Sequence, residues 1–516
     1  MLRKSLSSWK HGRLFVSALF VVASLEMALL GARAAEEFDS VARKSDVQFE
    51  EAVLLADVGV VELPPSPDAV SPPRADLTEQ RLSALEAEYQ QMRQRLEIGV
   101  LTPGRLRSTD IAPIEPSTKT PTYPNVKITG FFQLDTASFM QSGGNEAQFG
   151  KIQNDGGFRR ARLAAVGDVS RTVSYMLEMD FAFPGRPSFM DVWVDVHEVP
   201  LLGNVRVGQS RQPFGMDELT SVRELTFLER PTMFALAPFR ETGIGFHDTN
   251  EEKSVTWAGS VYGFPTDAWG NFYGNKGVGT ALRLTANPIN ENDGRQLLHV
   301  GFDHSFNVPG NKGNIYRNTP EYGGPFGSST SQNIPGGNTG GGASGDLPFF
   351  VNTGALFYDN ANVLNAELAG VYNSFHWQSE ARYALLNFGG DVVTLPAFYL
   401  QAAYLLTGEV RPYNKIAGVL GRIKPLHPWG ECGGRGAWEV AARYSYIDFN
   451  PAAPFQAAPP PGGLAWGGAL NDVTLGLNWY LNQYTKFQIN YIMANSNRGG
   501  VNTSADIVAL RAQLDF

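Results

Sequence analysis

The residues with the clearest capacity for chemistry are basic side chains placed in alternating segments. In the segment 158–164, Arg160 and Arg162 fall on one side of a period-two pattern, whereas Arg159 shares the other side with Ala161 and Leu163. We therefore expect Arg159 to point towards an interface or a neighbouring protomer, unless a bulge reverses the alternation. The same reasoning selects four more inward-facing residues, namely Arg283, Arg382, Arg443 and Lys486. Such a group either binds an anion or pairs with a carboxylate on the next strand, and both roles remain open.

No set of residues has the spacing of a catalytic or metal site. His299 and His304 are five residues apart on opposite strand faces, and no cysteine cluster accompanies them. The segment 277–279 resembles a fragment of a nucleotide loop but lacks the helix that would follow it. No serine and histidine are selected as a pair with an orienting partner. The sequence therefore predicts neither an enzyme nor a cofactor, and it predicts no nucleic-acid partner.

Alternating apolar and polar residues recur from residue 125 to the end of the chain. Tyr175, Leu177 and Met179, for example, oppose Glu178 and Asp180, which describes one strand with a dry side and a wet side. Many of the dry sides end in aromatic residues, as expected at the two interfaces of a membrane. A transmembrane strand with its share of turn and loop takes somewhat over 20 residues, so this region provides for about sixteen strands. The sequence predicts an all-β fold, a transmembrane antiparallel β-barrel of about that size.

The end of the chain supports this interpretation. Residues 508–516 alternate, with Leu510, Leu514 and Phe516 on one face and Arg511 and Gln513 on the other. A strand that closes on a terminal aromatic residue is what the barrel assembly machinery of a bacterial outer membrane recognises. We therefore interpret Phe516 as the assembly signal.

The start of the chain predicts export. Residues 1–34 combine basic residues near the N-terminus, an apolar stretch and an A-x-A motif, so we predict a signal peptide cleaved between Ala34 and Ala35. An uncleaved membrane anchor is the alternative. With the barrel pattern, this segment predicts a location in the cell outer membrane, with the lipid bilayer as a partner.

The region between the leader and the barrel divides into three parts. Residues 35–76 are acidic and rich in proline, which predicts a tether, and residues 99–124 form a second linker. Residues 77–98 carry a heptad seam of Leu82, Leu85, Tyr89, Met92 and Leu96. A helix this short needs partners, so we expect a coiled coil between protomers, ahead of a barrel domain at 125–516. The alternative is a helix packed on its own barrel or on a cell-wall component.

Composition agrees with a barrel more than with a soluble fold. Charged residues make up 18% of the 516 residues, below the usual share near a quarter, while glycine and aromatic residues are abundant. The single cysteine, Cys432, cannot form an intrachain disulfide. A β-sandwich or propeller of a secreted protein remains the competing fold.

Five motifs resemble those of the phosphate-selective porin O and P family. In chain order they occupy residues 158–163, 207–230, 408–414, 436–445 and 475–480. The resemblance implies a homotrimer of roughly sixteen-stranded barrels, each with its own pore. It also implies an arginine ladder that binds small anions such as phosphate, for which Arg160 and Arg162 are the first candidates.

The charge balance favours no single solute. From residue 125 onward the chain has 28 basic and 34 acidic residues. Seven of the acidic residues are expected to face inward, namely Asp135, Glu178, Asp180, Asp191, Asp195, Glu367 and Glu380. A mixed lining also fits a general or weakly cation-selective porin. A third possibility is a structural anchor that tethers the cell wall, for example peptidoglycan, through the coiled coil.

Two segments are expected to form long loops. Residues 309–348 are rich in glycine, asparagine, serine and proline and contain only four charges, and residues 450–468 form the second segment. Either loop could fold into the mouth of a barrel or cover it.

Overall fold

A computed structural model describes residues 122–182, 186–271, 277–323, 347–430, 433–456 and 465–516. The predicted signal peptide with Ala34 and Ala35, the tether, the coiled-coil helix and nearly all of the linker lie outside these residues, so those expectations remain predictions. Within the described part of the chain, no helix has the length and apolar character needed to cross a membrane.

Sixteen antiparallel strands close into one barrel, because the first strand pairs with the last. This confirms the predicted fold class and strand number. Two small two-stranded sheets, one of residues 314–318 with 351–356 and one of residues 413–414 with 419–420, are not part of this barrel. The strands are β1 (Lys127–Gln141), β2 (Asp155–Ser170), β3 (Val173–Asp180), β4 (Ser188–Val199), β5 (Gly203–Arg211), β6 (Arg240–Thr249), β7 (Val255–Gly263), β8 (Val278–Glu291), β9 (Gln296–Val308), β10 (Asn314–Asn318), β11 (Val351–Leu356), β12 (Asn360–Tyr372), β13 (Phe375–Phe388), β14 (Asp391–Leu405), β15 (Tyr413–Asn414), β16 (Val419–Leu420), β17 (Ala437–Asp448), β18 (Ala469–Tyr480), β19 (Thr485–Arg498) and β20 (Val501–Asp515).

The two faces of the wall follow the sequence alternation. On β20, Arg511 and Gln513 are buried in the barrel, whereas Leu510 and Leu514 are exposed on the outside. Phe516 lies after this strand and is also exposed, and its backbone N–H donates to the carbonyl of Gly130 on β1. An apolar outer face suits lipid and a polar inner face suits water, which explains why the pattern has period two.

The two ends of the barrel differ in their connections. At one end most turns are short, such as residues 171–172, 292–295 and 373–374, and both Lys127 and Phe516 lie there. The other end has long connections, including residues 212–239 and 309–359. In outer-membrane barrels the short turns face the periplasm, so we assign the short-turn end to that side.

The lumen is partly filled by the connection at 212–239, which we call the inner loop. It contains helix α2 (Met216–Leu219) and a 3₁₀ helix at Thr232–Leu236. Its Phe214 and Leu228 pack in one buried apolar cluster with Tyr322 and Phe350 from the connection 309–359. The other short helices are α1 (Gly143–Phe149) and 3₁₀ helices at Asn292–Gly294, Gly310–Lys312 and Asn450–Phe455.

One connection at the periplasmic end also enters the lumen. This long turn, residues 406–436, contains the β15–β16 hairpin. Arg283 on β8 donates to the carbonyls of Ala417 and Gly418 at 2.9 Å each. Arg422 pairs with Glu224 of the inner loop at 2.7 Å. The barrel is therefore narrowed from both ends.

A β-bulge places Arg159 inside the barrel. The pairing of β1 with β2 shifts between Gln133 and Leu134, which oppose Arg160 and Phe158, so Arg159 has no partner across the ladder. Its side chain is buried and its Nε donates to Glu229 Oε1 at 3.0 Å. The prediction that Arg159 points outward is wrong, because an extra residue reverses the alternation at that point.

Candidate functional site

Wall side chains hold the inner loop through its backbone carbonyls. Lys486 Nζ donates to Leu225 at 3.0 Å and Asn478 Nδ2 donates to Thr226 at 2.7 Å. Gln133 Nε2 donates to Val222 at 3.3 Å. A loop buried in a barrel has no strand partner for its carbonyls, and these donors replace water. Lys486 is thus bonded to the loop and lines neither of the two cavities described below.

The beginning of α2 is fixed by carboxylates of the opposite wall. The backbone N–H of Gly215 donates to Asp303 Oδ2 at 3.1 Å, and those of Met216 and Asp217 donate to the two carboxylate oxygens of Glu380 at 3.1 and 2.9 Å. Gly215 has a φ of +74°, and a Cβ there would lie 1.7 Å from a carboxylate oxygen of Glu218. The turn into α2 therefore requires glycine at this position.

Glu229 of the inner loop is the centre of a buried charge cluster. Its carboxylate accepts from Arg159, Arg160 and Arg511, at 3.0, 2.8 and 2.8 Å. Burial acts to raise the pKa of Glu229, but these three positive charges outweigh it and hold the pKa well below the ordinary value. Arg160, the first sequence candidate, therefore lies in the lumen with a carboxylate already bound.

Two further candidates bind loops and line neither cavity. Arg382 is fully buried, and its Nη1 donates to Glu218 Oε1 at 2.8 Å and to the carbonyl of Met233 at 3.1 Å. Arg443 binds Glu321 of the connection 309–359 at 2.5 Å. These contacts attach the inner loop and the connection 309–359 to the wall.

Among the described residues, two cavities border the inner loop. The outer cavity, of about 160 Å³, is bordered by Arg159, Arg160, Glu229 and by residues 318–323 of a long connection. The inner cavity, of about 360 Å³, is bordered by Ile416 and Ala417 of the long turn and therefore lies towards the periplasm.

Three residues border both cavities and form what we call the neck: Arg162, Val222 and Arg240. Arg162 donates to Asp180 at 2.8 Å, and Arg240 donates to Asp191 at 2.8 Å. Arg162 lies on β2 and Arg240 on β6, the two strands that flank β3–β5. Val222 of the inner loop adds an apolar side chain to these two guanidinium groups. These three side chains therefore lie between the two cavities.

The two cavities differ in charge. The outer cavity has five arginines, at 159, 160, 162, 230 and 240, and five acidic residues, at 180, 229, 241, 267 and 321. The inner cavity has six arginines, at 162, 206, 211, 223, 240 and 283, and three acidic residues, at 178, 191 and 248. The excess of positive charge therefore lies on the periplasmic side of the neck.

Accessible charge in the inner cavity is mainly guanidinium. Arg206 pairs with Asp195 at 2.5 Å, and the arginine side chain is 30% exposed against 2% for the aspartate. Arg211 lies 3.9 Å from Asp191, with 26% exposure against 8%. In these two pairs the carboxylate is less exposed than its arginine, so a solute would meet the positive group first.

Arg223 of the inner loop differs from the other arginines of the inner cavity. It is half-buried, and among the described residues it has no ion-pair partner. Its Nε lies 3.5 Å from Ser221 Oγ, and its guanidinium lies 5.5 Å from the ring centre of Phe131. Both of its Nη nitrogens are therefore available to a solute, as far as the described chain shows.

Sequence reasoning and structure agree on part of this lining. Of the six candidates, Arg160, Arg162 and Arg283 border a cavity, and Arg382, Arg443 and Lys486 do not. Six further arginines border a cavity and were not among these candidates, namely Arg159, Arg206, Arg211, Arg223, Arg230 and Arg240. The alternation of Arg206 with its valine neighbours could have identified it, but Arg223 lies on a loop without periodicity.

A cluster of buried carboxylates is the group most similar to a metal site. Oxygens of Asp303, Glu367 and Glu380 lie within 4.8 Å of one another. Arg283 and His299 donate to Glu367, at 2.8 and 2.9 Å. The backbone N–H groups of Gly215, Met216 and Asp217 donate to Asp303 and Glu380. Because protein donors already bind these carboxylates, the cluster does not require a cation.

Small residues on β6 and β7 leave the volume of the inner cavity open. They include Gly243, Gly245 and Gly259. Ala258 borders the inner cavity, where a large side chain would enter the open volume. We expect Ala258→Phe to reduce single-channel conductance to less than half, because the added ring occupies the space through which ions pass. Single-channel recording in a planar bilayer would measure this. Ala258→Ser is the control, and equal conductance of Ala258→Phe and wild type would show that ions do not use this cavity.

Comparison with known proteins identifies relatives over the barrel region. A family model described as phosphate-selective porin O and P matches residues 126–516. Porin O of Pseudomonas aeruginosa is 26% identical over 392 residues, which cover 72% of this chain and 83% of that protein. A protein of Caulobacter vibrioides described as uncharacterized is 23% identical over 498 residues, covering 87% of this chain and 92% of its own length.

Solved structures give a more distant likeness. OmpT, an outer membrane protein of Vibrio cholerae, has a TM-score of 0.44 at 11% identity, covering 77% of this chain and 99% of its own. An anion-selective porin from Comamonas acidovorans has a TM-score of 0.41 at 12% identity, covering 76% and 100%.

Proposed function

Because the chain belongs to the phosphate-selective porin O and P family and is an outer-membrane porin, we propose that it passes small hydrophilic anions by passive diffusion. The proposed path leads from the outer cavity through the neck to the inner cavity. Passive diffusion along this path follows the concentration gradient of the solute.

The observation that carries this proposal is the exposure of guanidinium groups in the inner cavity. Arg206 and Arg211 are several times more exposed than the carboxylates that face them. An anion that sheds part of its hydration there gains charge-assisted hydrogen bonds from these groups. Because Arg206 is also held by Asp195 and Arg211 by the carbonyl of Leu219, each of these sites is weak, and weak successive sites allow exit as well as entry.

Within this proposal the six sequence candidates have two different roles. Arg160, Arg162 and Arg283 contact the passing anion, supported by their positions along the two cavities. Arg382, Arg443 and Lys486 hold the loops that narrow the lumen, supported by their bonds to loop groups. Arg206, Arg211, Arg223 and Arg240 join the first group.

The proposal retains the expectations about assembly. The chain forms a homotrimer with the coiled coil at 77–98 between protomers, after cleavage at Ala34 and insertion guided by Phe516. Family membership supports the trimer, and the exposed position of Phe516 at the periplasmic end supports its recognition by the assembly machinery. Contact of the coiled coil with peptidoglycan is a compatible second role.

A general or weakly cation-selective porin is the second candidate. It is favoured by the equal numbers of arginines and acidic residues around the outer cavity. The two candidates make opposite predictions for ion selectivity.

The reversal potential in a planar bilayer distinguishes them. Purified protein would be reconstituted, and a tenfold KCl gradient applied across the bilayer. We expect a potential whose sign reports chloride as the more permeant ion. A potential near zero or of the opposite sign would support the second candidate, and no conductance would support the structural anchor.

A further inference from the structure

We propose that the inner cavity is a binding site for organic anions in which a carboxylate is attached to an apolar body, and that it prefers them to inorganic phosphate. This proposal rests on the proposed function, because it names the class of anion that the same passage binds. It concerns the site bordered by Phe131, Trp193, Leu219 and Arg223.

The first support is volume. At about 360 Å³ the inner cavity lies within the range of roughly 300–1,000 Å³ that is typical of pockets for small organic ligands. The outer cavity, at about 160 Å³, lies below that range. A bare oxyanion fills little of the larger space, whereas a carboxylate with a ring or short chain fills more of it.

The second support is the mixture of side chains. Met176, Trp193 and Leu219 border the cavity and are half-buried, so part of their apolar surface faces the opening. Phosphate has no apolar surface to cover them. An organic anion removes this surface from water on binding, which contributes roughly 25 cal/mol for each Å² buried.

The third support is the pairing of guanidinium groups with aromatic rings. The ring of Phe131 has the guanidinium groups of Arg162 and Arg223 each at 5.5 Å from its centre. The guanidinium of Arg206 lies 4.0 Å from the ring centre of Trp193. Arg223 has no carboxylate partner among the described residues, so its edge is free for a carboxylate, and the half-buried ring of Trp193 adds apolar surface to the same cavity.

The fourth support concerns the number of free positive charges. Arg162, Arg240 and Arg283 are each held by a carboxylate at 2.8 Å. In the described residues Arg223 alone among the six arginines of the inner cavity has no carboxylate partner. One free guanidinium matches one carboxylate, whereas a doubly charged phosphate requires more positive charge than the cavity leaves unpaired.

Calorimetric titration of the detergent-solubilised protein would test the site without reference to transport. The probes are sodium benzoate, sodium acetate and sodium phosphate. We expect benzoate to bind at least tenfold more tightly than either acetate or phosphate. Equal affinity for benzoate and acetate, or tighter binding of phosphate, would overturn the proposal.

Two variants locate the site. Arg223→Gln should weaken benzoate binding about tenfold. Trp193→Leu should weaken benzoate several-fold and leave acetate unchanged, because only benzoate has a ring to pack on Trp193, which is half-buried at the cavity. Unchanged benzoate affinity in both variants would place the binding elsewhere and overturn the assignment. Melting temperatures of both variants would show that they fold.

Benzoate block of chloride current in the bilayer links the site to the passage. If the reversal potential reports chloride preference but benzoate neither binds nor blocks, the proposed function stands and this inference fails. If the pore prefers cations while benzoate still binds with the stated order of affinities, the anion function fails and the site stands.

Discussion

Glu229→Gln should destabilise the folded barrel by about 3–5 kcal/mol, the usual effect of removing one partner of a buried ion pair. Arg159, Arg160 and Arg511 all bind this carboxylate, and none of the three is exposed to solvent that could replace it. Arg511 keeps Asp135 and Arg160 keeps Gln133, but Arg159 loses its carboxylate partner. Thermal unfolding followed by circular dichroism in detergent would measure the loss.

The matched control is Glu146→Gln, the same substitution at an exposed position on α1. It should leave the melting temperature unchanged. Arg159→Gln in the Glu229→Gln background should recover part of the lost stability, because it removes one uncompensated charge. Equal melting temperatures for Glu229→Gln and wild type would contradict the view that this cluster fixes the inner loop.

Arg223→Glu should reduce the anion-to-cation permeability ratio roughly fivefold to tenfold, because it reverses a charge that borders the inner cavity. The barrel should remain stable, since Arg223 has no ion pair among the described residues. The reversal potential in a KCl gradient measures the ratio. The change should diminish at high salt, where screening shortens the reach of a fixed charge.

Arg295→Glu provides the matched control for Arg223→Glu. Arg295 is exposed in a short periplasmic turn and borders neither cavity. The same change of charge there should leave the permeability ratio near that of wild type. A ratio that shifts equally in both variants would show that total charge, and not the cavity, determines selectivity.

The strand pattern was predictable because each strand follows a simple physical rule. A wall between lipid and water requires alternation, so the faces of β20 and the sixteen-strand closure could be predicted from the sequence. The rule fails at Arg159, where a single extra residue at a bulge reverses the faces. Sequence spacing carries no sign of that bulge.

The lumenal loops could not be predicted in the same way. Residues 212–239 have no regular period, and their position depends on contacts far along the chain, such as that of Lys486 with Leu225. Once such a loop enters the barrel, it determines which inward-facing arginines remain accessible. For this reason Arg382 and Arg443 have the alternation of lining residues but bind loops, whereas Arg223 borders a cavity without any alternation.

Anomalous diffraction from crystals soaked in bromide, and separately in rubidium, would test the central claim most directly. Bromide marks positions where anions reside, and rubidium marks those of cations. We predict bromide peaks in the inner cavity beside Arg206, Arg211 and Arg223, with no rubidium peak there. Rubidium beside Glu178 and Asp191, with bromide absent from the inner cavity, would contradict an anion passage through this barrel.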